Sequence, residues 1–254
     1  MTRDAPSTRF ERQRKRSVES STLIEGLPGL GMVASIAVDQ ITTQLGLEQY
    51  GAITSDDFPP VAAFSDGRVR DAVRVYAGES PAVMTLQSDV AIPPTATESL
   101  SRCVLDDLSE EFDDAVFLAG APARSEDQVG SVIGVATSER FERELTDAGI
   151  TLAEGTGVVG GVTGALLADC YHADIPAAVL VVRTNPYIPD PRAAHAVIEN
   201  ALEPLVAFDI DTQELLEQAE EIQRQKQQLA EQLQQYQQQA GEQQRQPSMP
   251  GMYQ

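Results

Sequence analysis

The sequence predicts an α/β protein whose mixed, mostly parallel sheet is covered by helices on both faces, with a helical C-terminal arm. Three observations carry this. Two short runs, Ala115–Ala119 and Ala177–Arg183, are apolar almost throughout, as strands buried on both faces are. Helical spacing of apolar residues recurs between strand-like segments, the alternation that builds such sheets. From Asp211 to Ala240 there is no Gly or Pro, and Gln and Glu dominate around a heptad of apolar sites.

In chain order, residues 1–20 begin with a basic segment. Arg3, Arg9, Arg12, Arg14, Lys15 and Arg16 stand against Asp4 and Glu11, six bases against two acids, and a disordered extension lying on an acidic body is expected. Ser21–Glu25 reads as a strand, Gly26-Leu27-Pro28-Gly29 as a turn, and Leu30–Leu45 as a helix closed by Gly46. Strands are expected at Tyr50–Thr54, Val61–Phe64, Val69–Tyr76 and Ala82–Gln87, with Asp66-Gly67 as a hairpin turn. Thr95–Leu108 has helical spacing, and Val132–Ala136 reads as a strand. Ser138 caps a helix reaching Ala148, with acids in its first turn. Gly161–Tyr171 and Pro191–Phe208 complete the helices of a domain over 21–208.

The arm over 209–240 places Leu215, Ile222, Leu229 and Tyr236 at one seam position. Ala219, Leu233 and Ala240 occupy the other, with Lys226 in its remaining site. Such a seam is weak for a lone helix and calls for a partner helix, so a coiled coil is expected. Residues 241–254 are expected to be a disordered tail.

Charge is the most unusual feature. The net charge is −21, the pI near 4.3, and 16 of the 18 basic residues are Arg. Acidic surface with almost no Lys fits a cytoplasm rich in salt, where screening lengths shrink to about 3 Å and carboxylates keep the surface hydrated. The scattered acids argue against nucleic-acid binding by the domain. No apolar run reaches membrane-spanning length, and no secretory h-region follows the basic start. Cys103 and Cys170 lie in apolar helical patterns without metal-ligand spacing and read as buried free thiols.

Catalytic signals are sparse. Gly26, Gly29 and Gly31, with Pro28 between, miss the dinucleotide fingerprint, and no P-loop lysine follows. A tight turn into a packed helix is the better reading, a small-anion site at the helix start the lesser one. The Gly155–Gly164 stretch allows the same two readings. His172 and His195, the only histidines, have no nucleophile motif or metal spacing around them. No active site, metal or cofactor is expected. The last three residues, Met252-Tyr253-Gln254, differ in kind: an apolar side chain, a Tyr and a free carboxylate suit capture by a partner's cation and apolar rim.

From Thr22 to Phe208 the chain resembles the proteasome assembly chaperone family in its archaeal branch. The likeness rests on Leu23-Ile24-Glu25-Gly26-Leu27-Pro28-Gly29-Leu30-Gly31, on Phe58-Pro59-Pro60 and on Ala119-Gly120-Ala121-Pro122. Gly155–Leu167 and Asn185-Pro186-Tyr187 add to it. The resemblance implies a three-layer α/β/α domain similar to the purine nucleoside phosphorylase fold without its catalytic equipment. It also implies homo-oligomers that contact α-subunits of the proteasome core particle. Family members may end in hydrophobic–Tyr–any residue, which docks between neighbouring α-subunits, and Met252, Tyr253 and Gln254 match those positions. The expected function is thus an ATP-independent, cytoplasmic chaperone or regulator of proteasome assembly. A nucleoside- or anion-binding protein or enzyme of that fold is the alternative, and a purely structural coiled-coil scaffold a third reading.

Overall fold

The two apolar runs fall where burial on both faces is greatest. β8 (Phe112–Pro122) and β11 (Ala177–Thr184) pair in parallel at the heart of a nine-stranded sheet, with Ala115–Leu118 and Ala177–Leu180 almost wholly buried. The computed structural model describes residues 8–14 and 20–243. Around the central pair lie β2 (Ser21–Gly26), parallel to β8, and β7 (Ala82–Ser88), parallel to β2. The antiparallel strands β6 (Val73–Glu79), β3 (Glu48–Ser55) and β1 (Thr8–Arg12) extend one side. On the other, β9 (Val132–Ala136) runs antiparallel to β11 and carries the short β10 (Thr151–Leu152). The order is β1-β3-β6-β7-β2-β8-β11-β9-β10.

Helices cover both faces. α1 (Val33–Gln44), α3 (Glu139–Asp147) and α5 (Pro191–Val197) pack over one core layer containing Ile24, Val116, Leu180 and Val197. α2 (Thr97–Leu108) and α4 (Gly161–His172) cover the other, over Leu23, Phe117 and Val179. Alternate residues of one strand serve opposite cores, as the two-residue strand period requires. Ser138 accepts a hydrogen bond from the Phe141 amide at the start of α3, the expected cap. No helix among the described residues is long and apolar enough to cross a membrane.

The chain departs from sequence expectation in four places. Thr8–Arg12 is not a disordered stretch but the edge strand β1, pairing with β3. Thr8 and Phe10 turn inward while Arg9 and Glu11 face solvent, a period-two pattern hidden beneath the charge. Thr8 Oγ1 meets Ser55 and Ser99 hydroxyls at 2.7 and 2.8 Å, Phe10 stacks on Tyr50, and Arg12 pairs with buried Glu111. The run Val69–Tyr76 divides, because the Asp66-Gly67 turn consumes Arg68–Arg70 as β5 against β4 (Ala63–Ser65) before the chain enters β6. β10 is an addition too short to carry a sequence signal. The last domain helix passes through a π-turn at Ile198–Leu202 before α6 (Glu203–Val206) and ends at Ala207, whose φ is 55°. Pro204 explains the irregularity: it lacks the N–H that would bond Asn200.

The arm is one helix, α7 (Gln213–Gln243). Its base is tied down: Leu215 is 2% exposed in the α1/α5 core, Thr212 Oγ1 lies 2.9 Å from His195 Nδ1, and Gln40 donates to the Asp211 carbonyl. His195 therefore belongs to the helix anchor, while His172 is exposed at the end of α4.

Cys103 and Cys170 are free and buried, and burial pushes both thiols up to about 12. Neither should react with a thiol-disulfide reagent in the native protein at pH 8, with both appearing on unfolding. Stoichiometric labelling without unfolding would contradict this placement.

Candidate docking face at the carboxyl edge of the sheet

β2, β7, β8 and β11 all run the same way, so their following loops emerge at one edge of the sheet. In sheets of this kind that edge is where ligands and partners meet the fold. Nine large hydrophobic side chains are exposed among the described residues. Seven sit on this edge: Leu30 and Met32 after β2, Val61, Phe64 and Val69 between β3 and β6, Val158 before α4 and Tyr187 after β11. These exposed apolar side chains, on an otherwise acidic chain, make this edge the candidate protein-interaction face.

Rigid elements hold the loops there. The hairpin β4–β5 is tethered by Arg70, which shares the Asp89 carboxylate with buried Arg74. Asp190 is 7% exposed and caps α5, accepting from Ala193 N at 3.1 Å with Pro191 in the first turn. Its carboxylate also accepts from Thr184 Oγ1 at 2.9 Å and Asn185 N at 2.8 Å. The loop Asn185–Asp190 is thereby closed on itself.

The Leu30–Met32 turn leans on that loop. Gly31 has φ 65° and Met32 φ 53°, two successive left-handed residues, and Asp190 N donates to Gly31 O at 2.8 Å. A side chain on Gly31 would strike Thr184 Oγ1 and the Asn185 carbonyl. Left-handed backbone at a non-glycine costs about 1–3 kcal/mol and survives where its surroundings enforce it. Here the enforced turn holds Leu30 and Met32 in solvent, 42% and 38% exposed.

Of the sequence-derived site residues, Gly26 is buried where α1 crosses β2, Val38 occupying the space of a missing side chain. Pro28 is half-buried and Gly29 faces open solvent. The turn wraps around the buried Glu25 carboxyl group, which accepts from Leu27 N at 3.1 Å and Leu118 N at 3.3 Å. Thr163 Oγ1, in the first turn of α4, donates to the same carboxyl group at 3.3 Å. Met252, Tyr253 and Gln254 lie outside the described residues. Among the described residues no cluster of three or more His, Cys, Asp or Glu is arranged to hold a metal ion.

Sequence reasoning passed over Glu25 and Asp190. A carboxylate closing the apolar run Leu23-Ile24 was the available signal for the first, and Asp before Pro at a helix start for the second.

Glu25 is wholly buried, and that burial pushes its carboxyl up to about 7 despite the hydrogen bonds from Leu118, Leu27 and Thr163. Between pH 4.5 and 7 the folded chain keeps a proton that the unfolded chain has released, so stability falls as pH rises through this window. Relative to the non-titrating Glu25→Gln, the wild-type unfolding free energy should decline there by about 2–3 kcal/mol. Urea melts at constant salt measure it, and a pH-independent difference would refute the assignment.

Comparison with known proteins gives a consistent result. Residues 23–230 match the PAC2 family. An uncharacterized protein of Methanocaldococcus jannaschii is 30% identical over 224 residues, covering 88% of this chain and 91% of the relative. Among solved structures the chain is similar to Pyrococcus furiosus PbaA, an archaeal homolog of proteasome-assembly chaperone. The TM-score is 0.81 at 26% identity, over 93% of this chain and 97% of that one. Pyrococcus furiosus PbaB, an archaeal proteasome activator, shares the fold with TM-score 0.80 at 20% identity, over 89% and 100% of the two chains.

Proposed function

The chain belongs to the PAC2 family, and on that premise we propose that it is a chaperone or regulator of proteasome assembly that binds α-subunits of the core particle without hydrolysing ATP. The observation that carries this reading is the enforced turn presenting Leu30 and Met32 at an apolar carboxyl edge, in a chain similar to a proteasome-assembly chaperone homolog. An enforced turn that presents an exposed apolar pair is suited to recognition.

In this reading the domain meets the α-subunit surface with its apolar edge, and Met252-Tyr253-Gln254 supplies a second contact through its carboxylate and Tyr ring. Two weak contacts on one chain reinforce each other when their spacing suits the partner. The proposal includes a homo-oligomer, a coil formed by the distal part of α7, and a salt-rich cytoplasm as the setting. Helix α7 can project the tail: thirty-one residues of helix span about 46 Å at 1.5 Å each. Seam residues Leu215, Ala219 and Ile222 are buried or half-buried against the chain's own domain, so any pairing of helices would involve the segment beyond Lys226.

Removal of Met252–Gln254, or Tyr253→Ala, should lower retention on assembled α-rings at least about tenfold with the thermal melt unchanged. Co-sedimentation with α-rings in molar salt reads this directly. Equal retention of the shortened and full chains would remove the tripeptide from the account.

A further inference from the structure

The 254 residues include five methionines, and their placement is uneven. Met84 is wholly buried in β7, whereas Met32, in the turn after β2, is 38% exposed beside Leu30. Met249 and Met252 fall in the last six residues, and Met1 begins the chain. Among the described residues Met32 is therefore the one thioether that solvent reaches.

That exposure is built in. Met32 follows Gly31 in left-handed backbone, and the pair is pinned where Asp190 N donates to the Gly31 carbonyl at 2.8 Å. Gly31 packs against Thr184 and Asn185 too closely to admit a side chain, so the turn cannot sink further into the body.

The cysteine sulfurs, by contrast, are shielded. Cys103 and Cys170 are 5% and 0% exposed, and burial pushes both thiols up to about 12, which leaves almost no thiolate at neutral pH. An oxidant that transfers oxygen to sulfur thus meets Met32 first among the described residues. A neutral hydroperoxide also meets no electrostatic barrier on a chain of net charge −21.

We propose that Met32 is a reversible oxidation site, at which hydroperoxides convert the thioether to a sulfoxide and so detach the carboxyl edge from its partner. The sulfur lone pair attacks the terminal peroxide oxygen, and the S–O bond forms as the O–O bond breaks. The leaving oxygen takes the proton of the transferred one and departs as water or an alcohol. Sulfur gives up two electrons and the peroxide gains them. A dithiol-dependent methionine sulfoxide reductase reverses the step, returning the thioether with a disulfide and water.

The effect on binding follows from polarity. An apolar, adaptable side chain becomes a polar, chiral one in the middle of an apolar face. Docking then has to desolvate the sulfoxide oxygen, a cost that the thioether does not carry. This step rests on the carboxyl edge being the docking face; the reactivity of Met32 does not.

The test uses the full chain carrying Met249→Leu and Met252→Leu, so that Met1, Met32 and Met84 remain. It is treated with hydrogen peroxide, mapped by peptide mass spectrometry and applied to assembled α-rings in molar salt. Met32 should oxidise at least about tenfold faster than Met84, with both cysteines unmodified. Retention should fall about fivefold or more relative to the untreated sample, and methionine sulfoxide reductase with dithiothreitol should restore it. With Met32→Leu added, the same treatment should change retention by less than about twofold from that variant's own untreated value. Met32→Gln, polar without oxidation, should bind about fivefold or more weakly whether or not peroxide is used. Equal oxidation of Met32 and Met84, or the same peroxide-induced loss with and without Met32, would overturn the proposal. The two readings fail differently. If Met32 resists peroxide, or its sulfoxide binds α-rings as well as the thioether does, the switch is wrong while the functional reading stands. If α-rings retain no untreated version, the functional reading falls and the switch with it, although Met32 still oxidises first.

Discussion

At the end of β2 the Glu25 carboxyl accepts from the amide of Leu118 on the neighbouring strand, and with the same two oxygens it gathers the Leu27 amide and the Thr163 hydroxyl. One buried side chain thus joins the end of a central strand, the turn that follows it and the start of α4. Burying a carboxylate is costly, and that burial pushes the Glu25 carboxyl up to about 7, while donors from three elements offset part of the cost. Asp190 repeats the device one loop away, and the bond from its amide to Gly31 O couples the two loops. The exposed pair Leu30 and Met32 is therefore placed by two buried carboxyl groups.

The legibility of the fold followed burial. Strands apolar on both faces, such as Ala115–Ala119, and helices with a regular stripe and a cap, such as that begun by Ser138, could be read from residue type alone. What escaped was set by partners distant in sequence. β1 is a strand because Thr8, Phe10 and Arg12 find Ser55, Tyr50 and Glu111, and its own composition says only that it is basic. Pro204 could have foretold the π-turn, since the missing amide is visible in the sequence. Of the candidate site, the glycine turn was legible as a turn. Its purpose was not, because the partners of the adjacent Glu25, Leu118 and Thr163, and the loop the turn rests on, Asn185–Asp190, come from residues far along the chain.

The two ends of the molecule divide the work of binding in this account. The domain supplies a fixed apolar face, and α7 carries a short chemically distinctive ending away from it. The seam residues of the first two heptads turn toward the domain, so the helix is anchored over that stretch and a spacer beyond it.

The central claim is that the carboxyl edge is the face that meets the proteasome α-subunits. Hydrogen exchange of the full chain, alone and with assembled α-rings, tests it most directly. Protection should rise in 27–32, 156–163 and 185–190, with no change in the loops at the opposite edge, 45–48, 109–112 and 173–176. Protection confined to the opposite edge, or absent from 27–32 while the complex persists, would contradict it.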